Sequence, residues 1–335
     1  METAEIPPPK FVHLPLQEQA LARGMLYGNR NAVTDYTLAS DGTRLHKNDF
    51  NQNELDALIR EFQHDPSIGL AYGRENLRSI MNDIRLPLEK RASRAKRYTN
   101  AYLNLITKLD HEAFPTDLTV HQGIPDYIPD GLVDMGADSV LNPQFRDRDL
   151  IKINKKEIFD MAKPLYHEVF MSQTLSELPR FEWKKIVTEK VAQYVYQQMP
   201  YNYDEVKHPD QLNRSIGLHE IVDHKLAVCR HHALMTQTLL QGFGITSRLI
   251  KSNVNYGNGR GGAHANNLVR IEGYWNLLDS TSPERLPNGQ ELIFIRPIPQ
   301  HRIDLNALTY EWSFPMASGN TRTYQSRTNM HWYRR

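Results

Sequence analysis

The sequence predicts an α+β protein in which a cysteine-bearing helix packs on an antiparallel sheet and an N-terminal helical domain precedes them. Three observations support this fold class. Residues 46–112 carry apolar side chains at helical spacing. A shorter helical pattern begins at Cys229, the only cysteine, and is stopped by Gly242 or Gly244. Residues 264–281 then have the pattern of two strands joined by a tight turn.

The N-terminal helices are predicted from local signals. Asn51 followed by Glu54 three positions later forms a capping-box pattern, which predicts the start of a helix. A second helix is predicted from about Glu75 to Pro87, and a third spans residues 88–109. Together they are typical of a helical bundle.

The candidates for a nucleophilic triad are Cys229, His264 and Asp279. Cys229 lies in the first turn of its predicted helix, where unpaired backbone N–H groups and the positive end of the helix dipole favour thiolate over thiol. If Glu272 and Gly273 form a two-residue loop, His264 and Asp279 share one face of the hairpin as diagonal neighbours. A thiolate, an imidazole and a carboxylate in mutual reach are the parts that acyl transfer needs.

The same register also predicts how the hairpin packs. Asn266 would face Asp279, and Leu268, Trp275 and Leu277 would lie on the face that carries the candidate base and carboxylate. This apolar surface is where we expect the cysteine-bearing helix to pack. Such packing would bring thiolate, imidazole and carboxylate together.

Several short motifs surround these residues. A cysteine stands at a helix start, the helix ends in Gly244-Ile245, a strand covers residues 248–251, a His-Ala strand follows, and Asp-Ser-Thr closes the run. This pattern resembles the core of the transglutaminase-like superfamily of papain-like cysteine enzymes, whose usual ending is Asp-Pro-Thr. Cys-Arg-His followed by Ala-Leu is especially similar to the variant found beside some plant kinase domains. The resemblance covers roughly residues 181–285.

The resemblance implies both an architecture and a set of roles. It implies a transglutaminase-like or papain-like core in which Cys229 is the nucleophile, His264 the base and Asp279 the residue that orients it. Two positions differ from the family pattern: Ala227 stands where glycine is usual, and Asn266 where an aromatic residue is usual.

Composition and the positions of proline and glycine divide the chain further. Three consecutive prolines mark the N-terminal part, and proline and glycine interrupt the stretch before residue 150. The predicted parts are a loose N-terminal arm (1–45) with one short helix around Leu16 to Met25, a helical domain (46–112), an irregular linker (113–150), a transglutaminase-like catalytic domain (151–320) and a basic-aromatic tail (321–335).

The expected reaction is cysteine-dependent acyl transfer on a carboxamide through a thioester, as in a protease or amidase, a glutamine deamidase or a transglutaminase. A backbone N–H at Cys229 would help to hold the oxyanion, and Asn213, His219 and His224 are candidates for the second donor. Two alternatives remain open. One is a non-catalytic protein-binding module, and the other is a zinc site built from Cys229, His232, His264 and Asp279.

Charge and cysteine content bear on partners and location. Forty basic and thirty-nine acidic side chains leave a net charge near zero, which disfavours nucleic acid as a partner. We expect a Gln-containing protein or peptide substrate, no cofactor and no membrane partner; the sequence gives no indication of oligomeric state. The N-terminus lacks the pattern of a signal peptide, and a single cysteine fits a reducing compartment. Cytoplasmic residence is therefore expected, with delivery into another cell as an alternative.

Overall fold

The structure is a computed structural model that describes residues 14–34, 50–114, 126–134, 150–201, 216–225, 227–257, 261–299 and 311–326. It combines helices with antiparallel strands, so the fold class is α+β. The chain divides into two compact units, Met1–Pro115 with Phe170–Ser176, and Thr116–Val169 with Glu177–Arg335. The five-part division of the sequence stays a prediction, because much of the arm, linker and tail lies outside the described residues.

The first unit is a set of helices, and two of its features differ from the sequence-based expectations. Leu21 and Ala22 are fully buried, so the part of the predicted arm around them is packed rather than loose. The helix expected from about Glu75 begins earlier because the Asp65 side chain accepts a hydrogen bond from Ser67 N at 3.0 Å and caps it. The helices of this unit are α1 (Leu16–Leu26), α2 (Gln52–His64), α3 (Pro66–Met81) and α4 (Leu88–Ala113).

The capping box predicted for α2 is confirmed. The Asn51 side chain accepts a hydrogen bond from Glu54 N at 3.1 Å, and Glu54 Oε2 accepts one from Asn51 N at 3.0 Å. Two backbone N–H groups at the start of the helix are thereby satisfied. The apolar stripe of α2 then buries Leu55, Leu58 and Phe62.

The second unit begins with short elements. A strand and two helices cover residues 150–170, and the first of these helices begins where the Asn154 side chain accepts a hydrogen bond from Glu157 N. None of the helices in the described ranges is long and apolar enough to cross a membrane. In chain order, the elements between α4 and the cysteine are β1 (Gly131–Asp134), β2 (Leu150–Ile153), α5 (Lys155–Met161), α6 (Lys163–Phe170), α7 (Gln173–Glu177), α8 (Arg180–Gln198), β3 (Ile216–Gly217) and α9 (Leu218–His224). Most of α7 belongs to the first unit, and β1, β2 and β3 form one sheet of the second.

The main sheet of this unit has six antiparallel strands in the order β7-β6-β5-β4-β9-β8. It follows α10 (Cys229–Gly242), which begins at the candidate nucleophile. The tail assigned from the sequence begins within this sheet rather than after it, since its first residues form β9. The strands are β4 (Ser247–Asn255), β5 (Gly261–Ile271), β6 (Tyr274–Arg285), β7 (Glu291–Pro297), β8 (Glu311–Pro315) and β9 (Thr321–Ser326).

The predicted two-residue loop between β5 and β6 is confirmed. Ile271 pairs with Tyr274 across the loop. Glu272 and Gly273 both have positive φ, 55° and 83°, which is the conformation of a type I′ hairpin turn. The register then places Leu268 opposite Leu277, as the sequence indicates.

The face on which α10 packs differs from the prediction. Leu268 and Leu277 belong to a buried cluster formed by the strands themselves, whose other members are Val254, Phe294, Ile298, Trp312, Phe314 and Tyr324. The helix instead contacts side chains that point to the other face of the sheet. Asn267 Nδ2 donates to Ala233 O at 3.0 Å, and Thr236 Oγ1 donates to Ser280 Oγ at 3.0 Å. The sheet curls around its own apolar cluster, and the helix lies against its other face.

The end of α10 is fixed by a glycine and a close contact. Gly244 has φ 60°, and the bonds from Ile245 N to Leu240 O and from Gly244 N to Gln241 O form a Schellman motif. Near this end a Cβ added to Gly242 would lie 2.2 Å from Tyr166 Oη. The helix therefore needs glycine at 242 for packing and at 244 for backbone conformation.

We expect Gly242→Ala to lower the free energy of unfolding by about 1–3 kcal/mol, because the new methyl group overpacks against Tyr166. Gly262→Ala is the matched control, since a Cβ there meets no atom within 4 Å. Urea denaturation of both variants measures the difference. Equal stability of the two variants would contradict this account of the helix end.

Candidate functional site

The buried pair of His264 and Asp279 forms the centre of the candidate site. His264 Nε2 lies 2.9 Å from Asp279 Oδ2. The strand pairing that continues from the β5–β6 hairpin brings them together, and both side chains are almost fully shielded from water. The contact is the one expected from the hairpin register.

The Asp279 carboxylate has further donors on both oxygens. Oδ1 accepts from Thr281 N at 3.0 Å and from Thr281 Oγ1 at 2.6 Å. Oδ2 accepts from Tyr324 Oη at 2.8 Å, in addition to its contact with His264. Arg322 Nη1 is 4.0 Å from the same oxygen. Such donors stabilise the charged carboxylate and hold its orientation.

Cys229 reaches this pair from the first position of α10, where it keeps partial exposure to solvent. The His264 side chain and the backbone N–H of Ala265 are close enough to the thiol to lower its pKa. Since Nε2 of His264 faces Asp279, Nδ1 is the ring nitrogen left for the sulfur. The three residues therefore lie in the order sulfur, imidazole, carboxylate.

The local charges favour a thiolate and an imidazolium. Burial raises the pKa of the Cys229 thiol, but the hydrogen bond and charge of His264, with smaller contributions from Ala265 and Arg230, hold it below its usual value. Burial likewise lowers the pKa of His264, but the Asp279 carboxylate and the Cys229 sulfur raise it well above its usual value. The pKa of Asp279 is lowered: burial raises it, and His264, Thr281 and Arg322 outweigh that effect.

The start of α10 is anchored by two neutral histidines. Val228 N donates to His231 Nδ1 at 3.1 Å, so the ring caps the turn that presents Cys229. His232 Nδ1 lies 3.2 Å from Ser280 O, next to Asp279 in sequence. Burial lowers the pKa of His231 well below its usual value and that of His232 to about 4. Both rings are therefore uncharged at neutral pH, and of these three histidines His264 is the one that is positively charged.

Two other residues proposed from the sequence lie on a different helix from Cys229. His219 and His224 are on α9, where His224 is exposed, and Asn213 lies outside the described residues. Across the described ranges, no group of three His, Cys, Asp or Glu side chains is arranged to hold a metal ion. The zinc arrangement of Cys229, His232, His264 and Asp279 is thus not formed.

An exposed aromatic side chain, that of Tyr201, lies beside the residues that precede Cys229. Tyr201 forms an isolated parallel bridge with Ala227, two positions before Cys229. Its side chain is about half exposed, and its ring centroid lies 6.3 Å from that of His232. Tyr201 is therefore placed where an incoming chain could contact it.

Sequence reasoning missed the contributions of β9 to this site. Tyr324 is separated from Asp279 by 45 positions, and no local pattern connects the two. Arg322, which the sequence placed in a basic-aromatic tail, is buried beside the same carboxylate. Thr281 did carry a signal, because it ends the Asp-Ser-Thr run.

Comparison with known proteins gives a family match for part of the chain. Residues 172–289 match the family described as a transglutaminase-like domain. No curated protein matches the sequence. Among solved structures, the chain is similar to a protein from Cytophaga hutchinsonii described as a candidate cysteine protease, with 12% identity over 58% of this chain and 69% of that one, and a TM-score of 0.28.

We expect the rate of Cys229 alkylation by iodoacetamide to rise at a lower pH than it does for a free thiol, because the His264 imidazolium stabilises the thiolate. In His264→Gln the midpoint of the pH–rate curve should move to higher pH, because burial then raises the pKa of the Cys229 thiol with little opposition. The readout is direct because the chain has one cysteine.

His224→Gln is the matched control for this experiment. His224 is an exposed histidine on α9, so its replacement should leave the alkylation midpoint where it is in the unmodified protein. A midpoint for the unmodified protein at or above that of a free thiol would contradict the thiolate–imidazolium pair.

Proposed function

We propose that this protein is an enzyme that uses Cys229 to transfer acyl groups from carboxamides, and the match of residues 172–289 to a transglutaminase-like domain supports the proposal. The observation that carries the proposal is the contact sequence from Cys229 to His264 to Asp279, with pKa shifts toward thiolate and imidazolium. A thiolate beside a proton donor is what attack on an amide and departure of its amine require.

In the first step the Cys229 thiolate attacks the carboxamide carbon. The electron pair of the carbonyl moves to oxygen, and the backbone N–H of Cys229, which has no acceptor within its own helix at this position, is suited to stabilise the oxyanion. The His264 imidazolium then gives its proton to the leaving nitrogen. The C–N bond breaks, ammonia or an amine departs, and a thioester to Cys229 remains.

In the second step the thioester is resolved. The His264 imidazole, now neutral, accepts a proton from water or an amine, which attacks the thioester carbon. The C–S bond breaks, the sulfur leaves as thiolate, and the imidazolium is restored. Attack by water yields a carboxylic acid, as in a protease, amidase or deamidase, whereas attack by an amine yields a new amide, as in a transglutaminase.

Asp279 supports both steps without changing its own protonation. Its charge stabilises the imidazolium, and its hydrogen bond to Nε2 directs Nδ1 toward the sulfur. The low pKa of the carboxyl group keeps it ionised throughout. Asp279 is accordingly assigned as the residue that orients the base.

For the substrate we favour a glutamine side chain presented by a protein or peptide. Cys229 is only partly exposed, so a slender terminal carboxamide reaches its sulfur more readily than a bulky group does. Tyr201, half exposed beside the lead-in to the nucleophile, offers a surface for the carrier chain. A thiolate enzyme works best in a reducing compartment, which fits a cytoplasmic site of action.

The proposal is tested by mass spectrometry of casein incubated with the protein in the presence and absence of a biotinylated primary amine. Deamidation adds about one dalton per glutamine, transamidation attaches the biotin, and proteolysis gives fragments. We expect one of these changes with the unmodified protein, none with Cys229→Ala, and a rate lowered by about 10³-fold or more with His264→Gln. His224→Gln should retain full activity.

Casein contains many glutamines, but a selective enzyme could require another carrier. The same incubations are therefore repeated with a glutamine peptide library, and the protein itself is measured intact for a thioester on its single cysteine. Absence of products and of any thioester in all these incubations would overturn the proposal. That outcome would favour the non-catalytic binding module.

A further inference from the structure

We propose that Tyr324 on β9 is a positioning residue of the triad, and that its hydroxyl sets the orientation and the hydrogen-bonding strength of the Asp279 carboxylate. This inference rests on the proposed function, because it assigns Tyr324 a role in the same reaction. The observation behind it is the 2.8 Å hydrogen bond from Tyr324 Oη to Asp279 Oδ2.

The hydrogen bond has a defined direction. Asp279 is ionised and can only accept, so the Tyr324 hydroxyl must donate. It donates to Oδ2, the oxygen that also contacts His264 Nε2 at 2.9 Å. Two donors thus share one oxygen, and the strength of either hydrogen bond depends on the other.

Packing keeps the Tyr324 hydroxyl in place. The residue is fully buried, and its ring lies 5.7 Å from that of Phe294 and 6.2 Å from that of Phe314 between centroids. Strand pairing fixes its backbone, since Tyr324 is opposite Val254 on β4 and opposite Trp312 on β8. A tyrosine held on both sides cannot rotate its hydroxyl away from the carboxylate without repacking the cluster.

A nearby cation strengthens the hydroxyl as a donor. Arg322 Nη1 donates to Ser282 O at 2.8 Å and lies 3.4 Å from Tyr324 Oη. A positive charge on the oxygen side of the phenol polarises its O–H bond toward Asp279. Arg322, Tyr324, Asp279, His264 and Cys229 therefore follow one another in a continuous polar chain.

Apolar packing alone does not require a hydroxyl at this position. Phenylalanine would fill the same space in a cluster made of aromatic and aliphatic side chains. A buried hydroxyl needs a partner, and here that partner is the carboxylate next to the base. The role of Tyr324 is therefore separable from its role in the core by deleting one oxygen atom.

The test is the pH dependence of Cys229 alkylation by iodoacetate in the Tyr324→Phe variant. This anionic reagent is drawn to the site while His264 is an imidazolium, so the rate rises as the thiolate forms and falls as the imidazolium loses its proton. Without the Tyr324 hydroxyl, Asp279 Oδ2 becomes a stronger acceptor for His264. We expect the falling limb of the pH–rate profile, where the imidazolium loses its proton, to shift to higher pH by roughly half a unit.

Tyr166→Phe is the matched control. Tyr166 is equally buried in the same unit and donates to Leu239 O at 3.0 Å, near the far end of α10 from Cys229. It loses one hydroxyl hydrogen bond without touching the carboxylate, so both limbs should stay in place. An unmoved falling limb in Tyr324→Phe, or an equal shift in both variants, would overturn the positioning role.

A second substitution guards against a loss of folding in Tyr324→Phe. Site-specific incorporation of 3-fluorotyrosine at position 324 keeps the ring and hydroxyl but makes the hydroxyl a stronger hydrogen-bond donor. The falling limb of the pH–rate profile should therefore shift to lower pH. A limb that does not move would again contradict the role of Tyr324.

The outcomes also separate this inference from the proposed function. If the unmodified protein shows both limbs and acyl transfer, but neither substitution at 324 moves the falling limb, only the role of Tyr324 fails. If the unmodified protein has no thiolate–imidazolium profile and forms no thioester, both proposals fail.

Discussion

The hydrogen bond between His264 and Asp279 is the interaction on which the rest of the site depends. Both groups are buried, and two charges removed from water are stable only when their contact geometry is good and their other donor and acceptor sites are hydrogen-bonded. Thr281 fills Oδ1, while Tyr324 and His264 share Oδ2. The imidazolium that results lowers the pKa of the Cys229 thiol despite the burial of the sulfur.

Cys229 and His264, the proposed nucleophile and base, come from different elements, so their distance depends on how α10 sits against the sheet. Polar contacts make this placement specific. Asn267 reaches the backbone of the helix at Ala233, and Gln237 Nε2 donates to Ser247 O at 3.0 Å on β4. Apolar packing permits sliding by a fraction of a residue, whereas these directional hydrogen bonds do not. Hydrogen bonds made by Asn267 and Gln237 position the helix, and the apolar cluster on the opposite face of the sheet stabilises the strands.

The parts of this structure that the sequence predicts are local. The two-residue turn at Glu272-Gly273 fixes the register, and the register brings His264 to Asp279. What the sequence does not predict is the side of the sheet that α10 covers, because Leu268 and Leu277 satisfy the same pattern when they pack among strands. The contributions of β9 are equally hidden, since contact across many positions leaves no periodic signal.

The position of Arg322 explains how the site can hold two anions. The Cys229 thiolate and the Asp279 carboxylate would together leave an excess negative charge around a single imidazolium, which burial would penalise. The guanidinium of Arg322, 4.0 Å from Asp279 Oδ2, balances the charge. Its Nη1 donates to Ser282 O at 2.8 Å, and this hydrogen bond holds the guanidinium beside the carboxylate. A guanidinium does not lose its proton in proteins, so a cation in that place stabilises the carboxylate and leaves proton transfer to the imidazolium.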